Sequence, residues 1–144
     1  MTEKLKAIRQ PVQFTLNQRS GVPAYRQIID QVLGGIAAGT LRPGDQLPTV
    51  RQLAVDLAIN PNTVVRAYRE LEIREVLTTQ QGTGTFLTDK KPATDGLERR
   101  RRIGQIAGEM LARAGAEGID LAEILNYLSE LLQESTHKEP GRRT

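Results

Sequence analysis

The feature that most constrains this chain is a break between two short amphipathic helical runs. The first begins at Thr49, after Pro48, and carries Leu53, Ala54 and Leu57 on one side. Ala58-Ile59-Asn60 interrupts it, and Asn60-Pro61 starts a second run whose inward face is Val64, Tyr68 and Leu71. Asn is a favoured N-cap, and Pro at the first helical position loses no hydrogen bond. Thr49 and Gln52 have the spacing of a capping box, in which the hydroxyl accepts from the third helical N–H and the amide reaches back. Two short helices joined by so tight a turn, the second headed by small polar residues, have few ways to pack.

The flanking segments narrow the choice further. An arm with Phe14 and Leu16 precedes Pro23, which opens a helix with Tyr25, Ile28, Ile29, Val32, Leu33 and Ile36 as one apolar stripe. Gly39 and Arg42-Pro43-Gly44-Asp45 stop it. After the helix pair, Val76–Thr79 and Thr85–Leu87 are rich in β-branched and apolar residues around Gln80-Gln81-Gly82-Thr83-Gly84, the pattern of a hairpin with a glycine-bearing tip. A linker is expected over 89–96. One further helix carries Ile103, Ile106, Ala107, Met110 and Leu111. The last starts at Asp120, paired with Glu123 as a cap, and carries Leu121, Ile124, Leu125, Leu128, Leu131 and Leu132. The expected organisation is an N-terminal arm (1–22), a winged helix-turn-helix (23–88), the linker (89–96), a two-helix dimerisation segment (97–136) and a flexible tail (137–144). The fold class is mainly α with a small β-hairpin.

Composition excludes several classes of function. The 144 residues include no cysteine, so neither a disulfide framework nor thiolate chemistry is available. No apolar run approaches the ~20 residues needed to span a bilayer, and the segment MTEKLKAIRQ lacks the apolar stretch of a signal peptide. A soluble, cytoplasmic protein is expected, with no membrane partner. His137 is the only histidine, and no Asp/Glu cluster has ligand or acid–base spacing. We therefore expect no enzyme activity, no cofactor and no metal. The net charge of +3 resides in the first part of the chain. Residues 1–88 hold ten Lys/Arg against seven Asp/Glu, whereas 89–144 hold ten of each. That distribution favours a polyanionic partner for the first part.

A helix, a helix-turn-helix and a hairpin in that order suit duplex DNA. An α-helix fits the major groove, about 12 Å wide, and a two-stranded ribbon can lie along the adjoining backbone or minor groove. Asn62, Thr63, Arg66 and Arg69 lie off the apolar stripe of the second helix of the pair. Asn can bond adenine and Arg guanine through two hydrogen bonds each, while Thr63 can bond phosphate or touch a thymine methyl. Arg51 is set to reach a phosphate or a base edge. At the wing, Gly82 and Gly84 let backbone N–H groups approach DNA without a Cβ, and Gln81 and Thr83 supply neutral donors. Plainer readings stand beside these. Arg66 and Arg69 are also ordinary solvated helix charges, Gly82 and Gly84 turn residues, and Thr49, Asn60 and Asp120 caps first. Arg99–Arg102 reads as a solvated helix start.

Three separated motifs carry a resemblance. Pro48-Thr49-Val50-Arg51-Gln52-Leu53-Ala54, Asn60-Pro61-Asn62-Thr63-Val64-Val65-Arg66-Ala67-Tyr68-Arg69-Glu70-Leu71-Glu72 and Gln81-Gly82-Thr83-Gly84-Thr85-Phe86-Leu87 resemble the GntR family of bacterial regulators. The Asn-Pro-Asn-Thr segment and the short C-terminal part resemble its YtrA-type subfamily. The resemblance implies a homodimer that binds a palindromic operator, usually as a repressor, often beside a transporter operon. It carries DNA contact onto Arg51, Asn60, Asn62, Thr63, Arg66, Gln81 and Gly82. There are two departures from the family's pattern. Pro61 stands where many relatives have a basic residue, and Glu75 where the family usually has Gly. If position 75 needs a left-handed backbone, Glu costs about 1 kcal/mol there.

The last two helices are too small to bury their own stripe, and packing against a second copy would do so with the two-fold symmetry of a palindrome. No small-molecule effector is identifiable, and the segment is shorter than the ligand-binding domain of larger GntR relatives. A competing reading is a winged-helix module that binds protein; the polar, basic outer face of the second helix of the pair argues against it. A DNA-associated enzyme is disfavoured because no nucleophile, metal set or phosphate loop is present.

Overall fold

A computed structural model of the protein describes residues 12–89 and 95–137. The chain divides into two compact units, residues 1–90 and 91–144. The first unit runs α1 (Ala24–Ala38), β1 (Gln46–Leu47), α2 (Val50–Leu57), α3 (Pro61–Ile73), β2 (Leu77–Gln80) and β3 (Gly84–Leu87). The second holds α4 (Gly96–Ala116) and α5 (Leu121–His137).

Helix α3 lies at the centre of the first unit, packed against α1, α2 and β2. Its buried residues are Val64, Ala67, Tyr68 and Leu71, the expected stripe plus one alanine. Wholly buried Val and Leu side chains contribute about 1.5–3 kcal/mol each, against roughly 1 kcal/mol for a cap. Packing therefore fixes where α3 lies, and capping fixes where it begins. Asn60 accepts from the Asn62 N–H at 2.8 Å, with Pro61 in the first turn. The Tyr68 hydroxyl donates to the Pro48 carbonyl at 2.6 Å, tying α3 to the residue that leads into α2. Burial pushes the phenol's pKa well above its ordinary value, so this donor stays protonated at any physiological pH.

Around α3, Ile28, Ile29 and Val32 of α1 are buried, as are Leu53 and Ala54 of α2. Ile36 departs from the expected stripe and is exposed. Past Gly39, the chain folds back so that the Leu41 N–H bonds the Gly35 carbonyl at 3.0 Å. The buried Leu41 side chain then closes this end of the core against Gly35, where a Cβ would lie 2.9 Å from Leu41 Cδ1. The segment before α1 is docked onto it. Phe14 joins the core, and the side-chain amides of Gln31 and Gln27 each both donate to and accept from the backbone of Thr15 and Asn17, at 2.7–2.9 Å.

The hairpin is present and gains a third strand. The sheet is antiparallel in the order β1-β3-β2, with Gln46 opposite Phe86 and Leu77 opposite Leu87. Leu47, Leu77 and Leu87 face the core. The capping box at Thr49 is half formed. Its hydroxyl accepts from the Gln52 N–H at 3.1 Å, but the Gln52 amide donates to Asp56 at 2.7 Å rather than reaching back. A carboxylate one turn ahead accepts a stronger, charge-assisted bond. At Asp120 the box is reciprocal, with both bonds 2.9 Å. Asp95, read as linker in the sequence, caps α4 by accepting from the Glu98 N–H at 2.8 Å. The remainder of the linker (90–94) and the tail beyond His137 lie outside the described residues, as do the first eleven residues of the arm.

Three helices end in the same closure, in which a left-handed residue lets two N–H groups return to the last turn. For α2 the left-handed residue is Ala58 (φ 53), with Ile59 N–H to the Ala54 carbonyl and Ala58 N–H to Val55. For α3 it is Glu75 (φ 61), with Val76 N–H to Leu71 and Glu75 N–H to Glu72. For α4 it is Gly118. Position 75 thus does require the left-handed backbone, and the two returning bonds hold it there without glycine. Ala58 is exposed, so its methyl brings strain without compensating burial. Ala58→Gly is expected to raise stability by about 0.5–1 kcal/mol in urea unfolding; an unchanged or lower midpoint would contradict a strained turn.

Candidate nucleic-acid interface

Of the residues singled out in the sequence, four lie along the outer side of α3 and its cap. Asn60, Asn62 and Arg66 are exposed, and Thr63 is half-buried. Among the described residues, the capping bond occupies Asn60 Oδ1 and leaves its NH2 free to donate, the polarity a phosphate oxygen requires. Among the same residues Asn62 keeps its whole amide uncommitted, which two-bond recognition of adenine demands. Arg51, the second residue of α2, is exposed, and no acidic side chain pairs with it among the described residues. The same holds for Arg69 and Arg74. Glu72 of the same helix accepts from the Thr79 hydroxyl of β2. That contact fastens the base of the wing to α3.

Arg66 is arranged differently from the other arginines. Its guanidinium carbon stands 3.8 Å from the centroid of the Tyr25 ring. The exposed face of α3 thus continues onto the start of α1, a connection that sequence reasoning missed. Tyr25 was legible only as part of an apolar stripe, and nothing in its spacing marks it as a partner of a residue 41 positions away.

The wing tip is Gln81-Gly82-Thr83, all exposed. The Thr83 N–H returns to the Gln80 carbonyl at 3.0 Å, and Gly82, at φ 76, takes the turn position that needs a positive φ. No atom lies within 4 Å of where its Cβ would be, so a phosphate could approach its backbone. Gly84 serves another purpose. Gln46 of β1 reaches across the hairpin to donate to the Thr83 carbonyl at 3.2 Å, and a Cβ at Gly84 would lie 2.4 Å from that same Gln46 nitrogen. Gln46 is therefore a brace for the tip that the sequence did not reveal, because a two-residue strand has no periodicity to read.

Among the described residues, the interface has no charged group on the wing and a cluster of arginines without ion-pair partners about the helix pair. Among the same residues no group of His, Cys, Asp and Glu could hold a metal ion, and no helix is long and apolar enough to cross a membrane.

Comparison with known proteins agrees with this geometry. Residues 24–87, from the start of α1 to the end of β3, match the family described as bacterial regulatory proteins, gntR family. The HTH-type transcriptional repressor YtrA of Bacillus subtilis (strain 168) is 33% identical over 116 residues, covering 81% of this chain and 89% of the relative. The chain belongs to the GntR family. Among solved structures, a transcriptional antiterminator from Listeria monocytogenes EGD-e is 28% identical with a TM-score of 0.61, covering 90% of this chain and 97% of that one. YtrA from Sulfolobus acidocaldarius, a GntR-family transcription factor, is 31% identical with a TM-score of 0.52, covering 69% and 97%. This GntR-family, YtrA-like chain is thus a DNA-binding helix-turn-helix transcriptional regulator and not an enzyme.

The two wing glycines should respond differently to alanine. Gly82→Ala adds backbone strain in open space and should cost about 1 kcal/mol. Gly84→Ala (φ 136) adds strain and displaces Gln46, and should cost more, up to about 3 kcal/mol. Equal losses in urea unfolding would show that Gln46 does not brace the tip.

Proposed function

We propose that this regulator is a cytoplasmic homodimer that represses transcription from a palindromic operator, with a transporter operon as the target class that the family resemblance implies. The observation that carries the reading is the exposed polar face of α3, where Asn62 and Arg66 stand clear of the core while Val64, Ala67, Tyr68 and Leu71 are buried. In this reading Asn62 and Arg66 contact base edges, and Thr63 touches a phosphate or a thymine methyl. Arg51 and the amide of Asn60 hold phosphates. The wing, through Gln81 and the backbone of Gly82, fixes position.

The homodimer rests on the second unit. Helix α5 has no buried residue and α4 only Ala114. Ile103, Ile106, Leu125, Leu128 and Leu132 are all exposed. A helix with an apolar stripe needs a surface to cover it, and a second copy supplies one with the two-fold symmetry of paired half-sites about one helical turn, or a multiple of it, apart.

The experiment is binding to the duplex immediately upstream of the gene, measured against salt concentration. Affinity should fall steeply with salt. Arg66→Ala should lose about 1–3 kcal/mol of discrimination between the protected site and a scrambled duplex, whereas Arg51→Ala should weaken binding to both and flatten the salt dependence. An Arg66→Ala protein with unaltered affinity and selectivity would remove α3 from the reading role.

For the assembly, Leu125→Asp with Leu128→Asp should give a monomer in sedimentation velocity and weaken operator binding at least tenfold. A double variant that sediments as the wild type does would show that α5 is not the seam.

A further inference from the structure

We propose that Tyr25 is a positioning residue for DNA recognition: its ring holds the Arg66 guanidinium in the orientation in which it meets a base. The proposal rests on the reading of Arg66 as a base-contacting residue and adds a specificity determinant on α1, outside the helix pair.

The geometry carries it. At 3.8 Å from the ring centroid, the guanidinium carbon is at stacking distance and well inside the range of cation–π attraction. Such a contact engages the flat face of the guanidinium, whereas its N–H donors project from the edges, so a stacked arginine keeps its fork for a hydrogen-bonded partner. Arg66 has no ion-pair partner among the described residues, so the ring is the one contact found there that orients its charged end. Arg51, Arg69 and Arg74 have neither a ring nor an ion pair among the described residues. Tyr25 is itself held in place. It is half-buried in the first turn of α1 and packs against the hydrophobic core, and α1 packs directly on α3. The ring is therefore a fixed platform.

The consequence lies in the ordering of a long side chain. A free arginine must be immobilised when it meets a base, and that ordering weakens binding. A guanidinium already stacked on a rigid ring has lost part of that freedom before DNA arrives. The benefit goes to a contact that needs one orientation, namely two bonds to a base edge, more than to a phosphate, which accepts from many directions. Tyr25 should therefore affect discrimination between sites more than overall affinity.

The test uses the full chain and two duplexes: the upstream DNA carrying the site located by footprinting, and the same DNA with the protected base pairs transversed. Tyr25→Leu keeps apolar bulk but removes the ring, and should lower the ratio of the two affinities about two- to fivefold, as expected from the strength of an exposed cation–π contact. Tyr25→Phe keeps the ring and should restore the ratio. In an Arg66→Ala background Tyr25→Leu should have no further effect. Should Tyr25→Leu fail to fold, fluorinated phenylalanines at position 25 weaken the ring's attraction with little change of shape, and the ratio should fall with each added fluorine. The proposal is overturned if Arg66→Ala loses discrimination while the Tyr25 variants keep it, or if Tyr25→Leu lowers the ratio equally with and without Arg66. If Arg66→Ala itself leaves the ratio unchanged, the base-reading role of Arg66 is lost, and the role of Tyr25 with it.

Discussion

The first unit depends on a single constraint: α3 must be gripped on one side by almost everything around it while its other side stays bare. Val64, Ala67, Tyr68 and Leu71 meet α1, α2 and β2, and this packing outweighs any cap or ion pair on the helix. The Tyr68 hydroxyl adds direction to that grip by bonding the carbonyl just before α2. A buried hydroxyl without a partner would cost more than an apolar residue in its place, so the bond selects the one packing of α2 on α3 that satisfies it. The polar face is left outward as a result, and the cost of taking an unpaired amide or guanidinium out of water keeps it there.

The ends of the helices are where this unit tolerates strain. Ala58 and Glu75 both occupy left-handed backbone that glycine would adopt more cheaply, and both do so at the closing turn of a helix. At each, two N–H groups find carbonyls that would otherwise lack partners. A penalty of about 1 kcal/mol is smaller than the cost of leaving two such groups unsatisfied. The closure after α3 has a second hold, because the Thr88 hydroxyl donates to the Glu75 carbonyl. The departure of the wing is thus fixed by hydrogen bonds to the last turn of α3 and from the residue after β3, and glycine is unnecessary there.

Much of this was legible in the sequence, and the failures are of two kinds. Three- and four-residue spacing located every helix, Asn60-Pro61 and Asp120 gave true starts, and the glycines around Gln81 marked the wing. These signals are local: each depends on residues within one or two turns of one another. Three other features depend on distant parts of the chain. Strand β1 is two residues long and exists because β3 offers it an edge. Gln46 braces a turn 37 residues away, and Tyr25 meets Arg66 only when α1 packs on α3. Three misses are local. Asp56 wins the Gln52 amide on charge within one turn, Asp95 caps α4 although it reads as linker, and Ile36 is exposed while Leu41, five residues on, is buried. In the candidate site, the residues themselves and the cap at Asn60 could be named from the sequence, but the supports from Gln46 and Tyr25 could not.

Those supports bear on how a modestly charged protein can recognise DNA. The first 88 residues carry a net charge of only +3, and the exposed wing tip bears no charge at all. Phosphate neutralisation by one copy therefore gives only a modest grip, because both the electrostatic affinity and its salt dependence scale with the number of phosphates neutralised. Selectivity built on such a base has to come from the precision of a few uncharged or fork-shaped hydrogen bonds. In the reading we propose, precision in turn requires that Asn62, Arg66 and the Gly82 backbone reach the duplex in fixed register. The capped start of α3, the braced tip and the two-sided closure at Glu75 each remove a degree of freedom from that set. In the dimer we propose, a second copy would double the weak electrostatic term while both reading faces met the same duplex. Affinity would then scale with assembly, and selectivity with the rigidity of each unit.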